Sequence, residues 1–276
     1  MTNGAKIRVG VVGATGKMGR VVCSSVLDDQ SLSLVAAIGR TRSGEPFDAF
    51  VGRRTGLVVQ DRMEALLEVQ ADVAVDFTHP DALMPNARWY SGRGLNAVIG
   101  TTGMRDGDLD ELRSLATSAH LIVAPDFSYA GTVMLHIARI AARFLPEIEL
   151  LEVHAPTKAE SPSGTTMNTA RELARVRDAS EPSRSREIVA GARGGELAGI
   201  RVHSMRMNGA PGGSEEIRFS APGESLTIVQ TAHDRAAYAR GVLHAIKQIQ
   251  SRPGLTYGFE QLLDLGATSA DQPRTI

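Results

Sequence analysis

Short apolar runs alternate with stretches of helical spacing through the first half of the chain, a pattern that predicts strands joined by helices. Ile7 to Val12 is a β-branched run, and Arg20 to Leu27 after it has helical spacing. Leu32 to Ile38 is a second strand. Beyond it the pattern predicts a helix over Met63 to Val69, a strand over Asp72 to Phe77 and a helix over Asp81 to Ser91. A strand over Asn96 to Ile99, a helix over Asp108 to Ser118 and a strand over Leu121 to Ala124 follow. Glycine, proline and charge dominate Ser43 to Gly56, which predicts a mobile loop with only short structure. Such alternation implies a parallel sheet whose ligands sit beyond the carboxyl ends of its strands.

The pattern changes after Gly131. A helix over Val133 to Phe144 leads into a strand, Glu149 to Val153, and a helix over Met167 to Arg177. Strands over Ile200 to Met207, Glu215 to Phe219 and Ser225 to Thr231 are then separated by glycine-rich turns, which predicts a mixed, more open sheet. Arg235 to Gln250 returns as a helix, with Ala236, Ala239, Leu243 and Ile246 near helical spacing, and is expected to pack back on the first domain.

Composition narrows the partners. Thirty Lys and Arg against 31 Asp and Glu leave a net charge of -1, so neither nucleic acid nor an acidic membrane is expected as a partner and anion binding must be local. A single cysteine, Cys23, rules out an internal disulfide or a multi-cysteine metal site; a reducing cytoplasm is expected, with Cys23 in the core. The N-terminus lacks the pattern of an export signal, and no apolar run is long enough to predict a membrane helix. Ala267 to Ile276, small and polar, predicts a loose tail. His79, His120, His136, His203, His233 and His244 lack metal-ligand spacing, so no metal is expected.

Two stretches carry chemistry. Gly13-Ala14-Thr15-Gly16-Lys17-Met18-Gly19 lies between a strand and a helix, where glycines permit a tight turn and close approach of a pyrophosphate to backbone N–H groups. The second strand ends at Gly39, followed by Arg40, Thr41 and Arg42. With no carboxylate to grip the ribose and guanidiniums free for a 2′-phosphate, NADPH is the preferred cofactor, with NADH possible and Lys17 a further phosphate partner. The second stretch, Glu152 to Thr166, places His154 as a proton donor and Lys158 as a cation before Ser163-Gly164-Thr165, a helix start whose free N–H groups suit a carboxylate.

These residues resemble the 4-hydroxy-tetrahydrodipicolinate reductase (dihydrodipicolinate reductase) family. The resemblance covers about Ile7 to Leu265 and rests on VGATGKMGR, VDFTHP, IGTTG, APDFS, EVHAPTKAESPSGT, GARGG and RPGLTYGFEQLLDL, in that order. It implies an α/β protein with a Rossmann-type parallel-sheet domain, 1–129 with 234–276, and an inserted α+β substrate-binding domain, 130–233, with a mixed open sheet. Hydride from NAD(P)H would convert 4-hydroxy-tetrahydrodipicolinate to tetrahydrodipicolinate in lysine and diaminopimelate biosynthesis. A homotetramer would form through the substrate-domain sheets.

Position by position, the resemblance assigns Gly13, Ala14, Thr15, Gly16, Lys17 and Met18 to the pyrophosphate and Arg40 to the adenosine end. Gly100, Thr101, Thr102, Ala124, Pro125, Asp126 and Phe127 would line the nicotinamide side. His154 would donate the proton, Lys158 would act in catalysis and substrate binding, and Ser163, Gly164 and Thr165 would bind a substrate carboxylate.

The chain departs from the family pattern at Ala155 and Thr157, where histidines are usual, near Ser214 and at Gln230, where histidine also tends to stand, and at Asp126, where asparagine is usual. Thr157 or Arg206 would have to supply the missing donor. The lost histidines favour an alternative, a reductase of the same fold acting on another cyclic imine or carbonyl compound. Erosion of the site alone would favour a non-catalytic dinucleotide sensor, but that role needs neither His154 nor Lys158.

Overall fold

The computed structural model describes residues 5–101, 103–105, 107–178, 186–210 and 212–266, so the expected tail lies outside the described residues, as does Thr102. The chain divides into two compact units, Met1–Ser128 with Arg235–Leu263, and Tyr129–Asp234 with Asp264–Ile276.

In the first unit the strands are β1 (Ile7–Val12), β2 (Leu32–Ile38), β3 (Val59–Gln60), β4 (Val73–Asp76), β5 (Asn96–Ile99), β6 (Leu121–Val123) and, late in the chain, β12 (Leu255–Tyr257). They form one sheet in the order β12-β6-β5-β4-β1-β2-β3, with every pairing parallel. This is a Rossmann-like sheet. The order reverses at β1, so the ends of β1, β2 and β4 meet at the switch point where such sheets bind ligands.

The helices of this unit are α1 (Lys17–Asp28), the single turns α2 (Asp48–Val51) and α3 (Ala65–Glu68), α4 (Leu83–Ser91), α5 (Asp108–Leu115) and α8 (Ala236–Gln248). Leu83, Ala87 and Tyr90 of α4 and Leu112 of α5 pack with Ala74, Ala97 and Ile99 in one apolar cluster. Val22, Cys23 and Val26 of α1 and Ala239, Val242 and Ile246 of α8 are buried where the two helices meet. Among the described residues, no helix is long and apolar enough to cross a membrane.

The second unit holds α6 (Tyr129–Ala142), β7 (Glu147–His154), α7 (Gly164–Val176), β8 (Gly195–Leu197), β9 (Ile200–Arg206), β10 (Gly213–Ala221) and β11 (Glu224–Ala232). Its sheet runs β11-β10-β7-β9-β8, with β7 and β9 parallel and the other pairs antiparallel. Alternate residues Ile148, Leu150, Ile200, Val202, Ile217 and Phe219 pack against Met134 and Ala138 of α6 and Ala170 and Leu173 of α7. Val153, Met205 and Val229 alternate with that face and stand on the other.

Several boundaries differ from the pattern reading, each for a local reason. Helix α6 starts at Tyr129 rather than Val133, because burial of Gly131 and Met134 outweighs the glycine's poor helix propensity. Strand β7 runs on to His154, which pairs with Arg206 in the sheet instead of opening the loop. The edge strand β12 is hidden in sequence by Pro253, Gly254 and Gly258, and β3 and β8 are too short to show a period. Phe47, within the expected loop, is fully buried and stacks on Phe50.

Helix α8 is held close to the end of β6 by one glycine. A Cβ at Gly241 would lie 2.0 Å from the Phe127 carbonyl oxygen and 2.9 Å from the Phe259 ring. Gly241→Ala is therefore expected to cost about 1–3 kcal/mol, the usual penalty of overpacking, read as a lower urea midpoint; an unchanged midpoint would contradict this packing.

Candidate functional site

The first unit carries a tight glycine turn after β1. Gly13 has φ +79°, and a Cβ there would meet the Phe77 carbonyl oxygen at 2.3 Å; one at Gly19 would meet the Gly13 carbonyl oxygen at 2.1 Å. Only glycine allows both this turn and this helix approach. The Gly13 and Ala14 N–H groups donate to the Ile38 carbonyl, 2.9 Å each, so these residues shape the turn. Gly16 caps α1 with no side-chain hydrogen bond, and among the described residues no acceptor meets the Lys17 and Met18 N–H groups. Those donors, at the positive end of a helix, fit a pyrophosphate.

Beyond β2 the two arginines differ. Arg42 makes a two-pronged ion pair with Glu45, and its guanidinium lies 5.1 Å from the Phe50 ring centroid. Arg40 is exposed, and no described residue pairs with it. A Cβ at Gly39 would lie 2.9 Å from Thr15 Oγ1, so a larger residue there requires the Thr15 side chain to turn away.

At the ends of β4, β5 and β6, buried Asp76 gathers the neighbouring turns. Its carboxylate accepts from the Thr78 N–H and hydroxyl (3.0 and 2.7 Å), Asn86 Nδ2 (2.7 Å), the Tyr90 hydroxyl (2.8 Å) and the Thr101 hydroxyl (3.1 Å). Burial, with Asp76 beside it, pushes the Tyr90 phenol well above its ordinary value. Gly100 is pressed to the Phe77 ring, where a Cβ would lie 2.2 Å from a ring carbon. Phe127 is buried edge-on to Phe77, Ala124 donates to Ile99, and Pro125 is exposed.

In the second unit, Ser163 is the N-cap of α7. Its hydroxyl accepts from the Thr166 N–H (3.2 Å), and its own N–H donates to Glu152 (2.9 Å). Ser163 is thus engaged inside the turn, whereas Gly164 and Thr165 are exposed and no described residue accepts from their N–H groups. His154 Nε2 lies 3.5 Å from Glu152 Oε2. Gly213 makes room for this ring, since a Cβ there would lie 2.8 Å from it. Lys158 Nζ pairs with exposed Glu160 at 2.8 Å. Thr157 is exposed, and Arg206 donates to Glu152 Oε1 at 2.8 Å.

Glu152, fully buried, was not singled out from the sequence. Burial alone would raise its carboxyl, but the Ser163, Arg206 and Ser204 hydrogen bonds hold it down at about 2. The available signal was the strand period: Glu152 stands two residues before His154, on the same face of β7. Among the described residues, no cluster of side chains could hold a metal ion.

Burial pushes the Asp126 carboxyl up to about 6, against the N–H bonds from Ser128 and Phe127. Its folded-state value lies above its unfolded one, so its contribution to stability is intact below the ordinary 3.8 and is lost as pH rises through about 6. Asp126→Asn removes that loss. The variant is expected to gain about 1–3 kcal/mol over the parent at pH 8 and nothing at pH 4, in thermal melts at both values. An equal effect at both would contradict the assigned cause.

Two family models match the chain in succession. Residues 7–127 match the model of the dihydrodipicolinate reductase N-terminus and residues 131–263 that of its C-terminus. The 4-hydroxy-tetrahydrodipicolinate reductase of Nocardia farcinica is 38% identical over 266 residues, 94% of this chain and 99% of that one. The enzyme of the same name from Moorella thermoacetica is 38% identical over 265 residues, again 94% and 99%. The structure of a dipicolinate-bound dihydrodipicolinate reductase from Paenisporosarcina sp. TG-14 superposes with a TM-score of 0.80 at 30% identity, covering 94% of this chain and 100% of that one. An amine dehydrogenase from Mycobacterium smegmatis, 18% identical with a TM-score of 0.68 over 96% and 98% of the two chains, shares the fold. By sequence over both halves and by structure, the chain belongs to the dihydrodipicolinate reductase family.

Proposed function

We propose that this protein reduces 4-hydroxy-tetrahydrodipicolinate to tetrahydrodipicolinate, with the first unit binding the dinucleotide and the second the substrate. Reductases of this family use a nicotinamide dinucleotide. The observation that carries the substrate side is the exposed Gly164–Thr165 helix start in the same short stretch as His154 and Lys158. The reaction replaces a hydroxyl by hydrogen: water leaves, and one hydride and one proton are added. A bound nicotinamide dinucleotide supplies the hydride.

The chain's own residues do the rest. The Gly164 and Thr165 N–H groups and Lys158 hold a substrate carboxylate, which exchanges with Glu160 for the ammonium. Ser163 shapes that turn from within. His154 gives a proton to the atom that gains electron density. Gly13 to Met18 cradle the pyrophosphate, and Gly100 to Thr102 with Ala124 to Phe127 line the nicotinamide.

NADPH is the preferred cofactor in this reading, because unpaired Arg40 is available to a 2′-phosphate while Arg42 is held by Glu45. A cytoplasmic homotetramer is the proposed form, built on the sheet face that carries Met205 and Val229. The missing histidines at 155 and 157 favour lower activity than in relatives that keep them.

NADPH oxidation with freshly generated 4-hydroxy-tetrahydrodipicolinate, beside a panel of other cyclic imino acids, tests the proposal. Turnover is expected with the named substrate, raised by Ala155→His combined with Thr157→His. Turnover only with another imine would reject it. His154→Gln should lower kcat by about 10²-fold or more with little change in NADPH affinity, and Lys158→Ala should damage kcat and KM together. Wild-type rates in both variants would reject the site.

Titration calorimetry checks the cofactor. Arg40→Ala should weaken NADPH and leave NADH unchanged, and a tenfold preference of the parent for NADH would reject the reading.

A further inference from the structure

We infer that Glu152 is a positioning residue of the substrate site, one buried carboxylate that aims the proton donor and holds the carboxylate-binding turn at the same time. The inference rests on the reading of His154 and of the Gly164–Thr165 turn proposed above. Glu152 touches neither substrate nor cofactor in that reading.

The geometry is that of a hub. Glu152 Oε2 accepts from the Ser163 N–H (2.9 Å) and the Thr166 hydroxyl (2.9 Å) and lies 3.5 Å from His154 Nε2. Oε1 accepts from Arg206 Nη2 (2.8 Å). These partners come from three elements: the end of β7, the start of α7 and the end of β9. Strand register explains why they meet. Glu152 stands opposite Ser204 and Glu215, and His154 opposite Arg206, so all lie on the sheet face that carries α6 and α7.

One atom thus serves two functions. As the carboxylate oxygen 3.5 Å from His154 Nε2, Oε2 holds the donor ring in place. As the acceptor of Ser163 and Thr166, it fixes the entry into α7, and so the direction of the Gly164 and Thr165 N–H groups. The charged groups facing His154 are Glu152 beside it on β7 and Arg206 on β9; Glu215 on β10 lies next to Glu152, and Lys158 in the following loop pairs with Glu160. Substrate binding and proton donation should fail together when the carboxylate is lost, and separately when a single partner is lost.

Steady-state kinetics with 4-hydroxy-tetrahydrodipicolinate, with dipicolinate as a competing carboxylate, tests this on three variants. Glu152→Gln keeps the shape and loses the charge: kcat should fall about tenfold or more and KM rise severalfold, with NADPH affinity unchanged. Thr166→Val cuts one of the two ties to the turn and leaves the His154 contact, so KM should rise and dipicolinate inhibition weaken while kcat stays near the parent value. Glu152→Gln with Arg206→Met removes both partners of the ion pair; it should restore any lost thermal stability but neither kcat nor KM.

Unchanged kcat and KM in folded Glu152→Gln, or recovery of wild-type kcat/KM in the double variant, would overturn the assignment. A low rate in His154→Gln beside an unaffected Glu152→Gln would overturn it alone. A wild-type rate in His154→Gln would overturn the reading of the site and this assignment with it.

Discussion

A carboxylate withdrawn from water must be met by donors on nearly every lone pair, and the second unit satisfies that demand at Glu152 by converging three chain segments on it. The sheet fixes the carboxylate, and the carboxylate fixes what does not belong to the sheet. Without it, the start of α7 would be tied to β7 only through packing, and half-buried Arg206 would lose its carboxylate partner on β7. The geometry of the proposed proton donor and of the proposed anion site thus depends on a residue that performs no chemistry itself.

Both units leave backbone donors open at a helix start, with different caps. In the first, Gly16 precedes α1 and contributes no side chain, so the N–H groups of Lys17 and Met18 stay available. In the second, Ser163 takes the Thr166 N–H and leaves those of Gly164 and Thr165. A side-chain cap consumes one donor while it fixes the direction of the others, which suits a small carboxylate. An uncapped glycine turn leaves the wider opening that a pyrophosphate needs. Asp76 has the parallel role in the first unit, where it binds the turns after β4 and β5 to each other through Thr78 and Thr101.

Much of this was legible in the sequence, because the elements that make the parallel sheet are short apolar runs separated by helical spacing. β1, β2 and β5 lie where that pattern puts them. The glycine turn and the SPSGT helix start were visible as well, since glycine and hydroxyl residues at helix starts have local causes. What escaped notice depends on contacts distant in sequence. Glu152 and Arg206 are separated by 54 positions and meet only because β7 and β9 pair in parallel. The commitment of Arg42 to Glu45 follows from a backbone turn with φ +72° at Arg42 that spacing does not announce. β12 is an edge strand of three residues, too short to show a period and assigned only by its neighbour β6.

The central claim is that the helix start at Gly164 and Thr165, held from beneath by Glu152, receives a substrate carboxylate. A crystal structure of the protein with NADPH and dipicolinate tests it most directly. The account predicts one carboxylate of dipicolinate within about 3 Å of the Gly164 and Thr165 amide nitrogens, with Lys158 turned from Glu160 to the ligand and the Glu152 contacts unchanged. Dipicolinate seated elsewhere, with those amides still facing solvent, would contradict it.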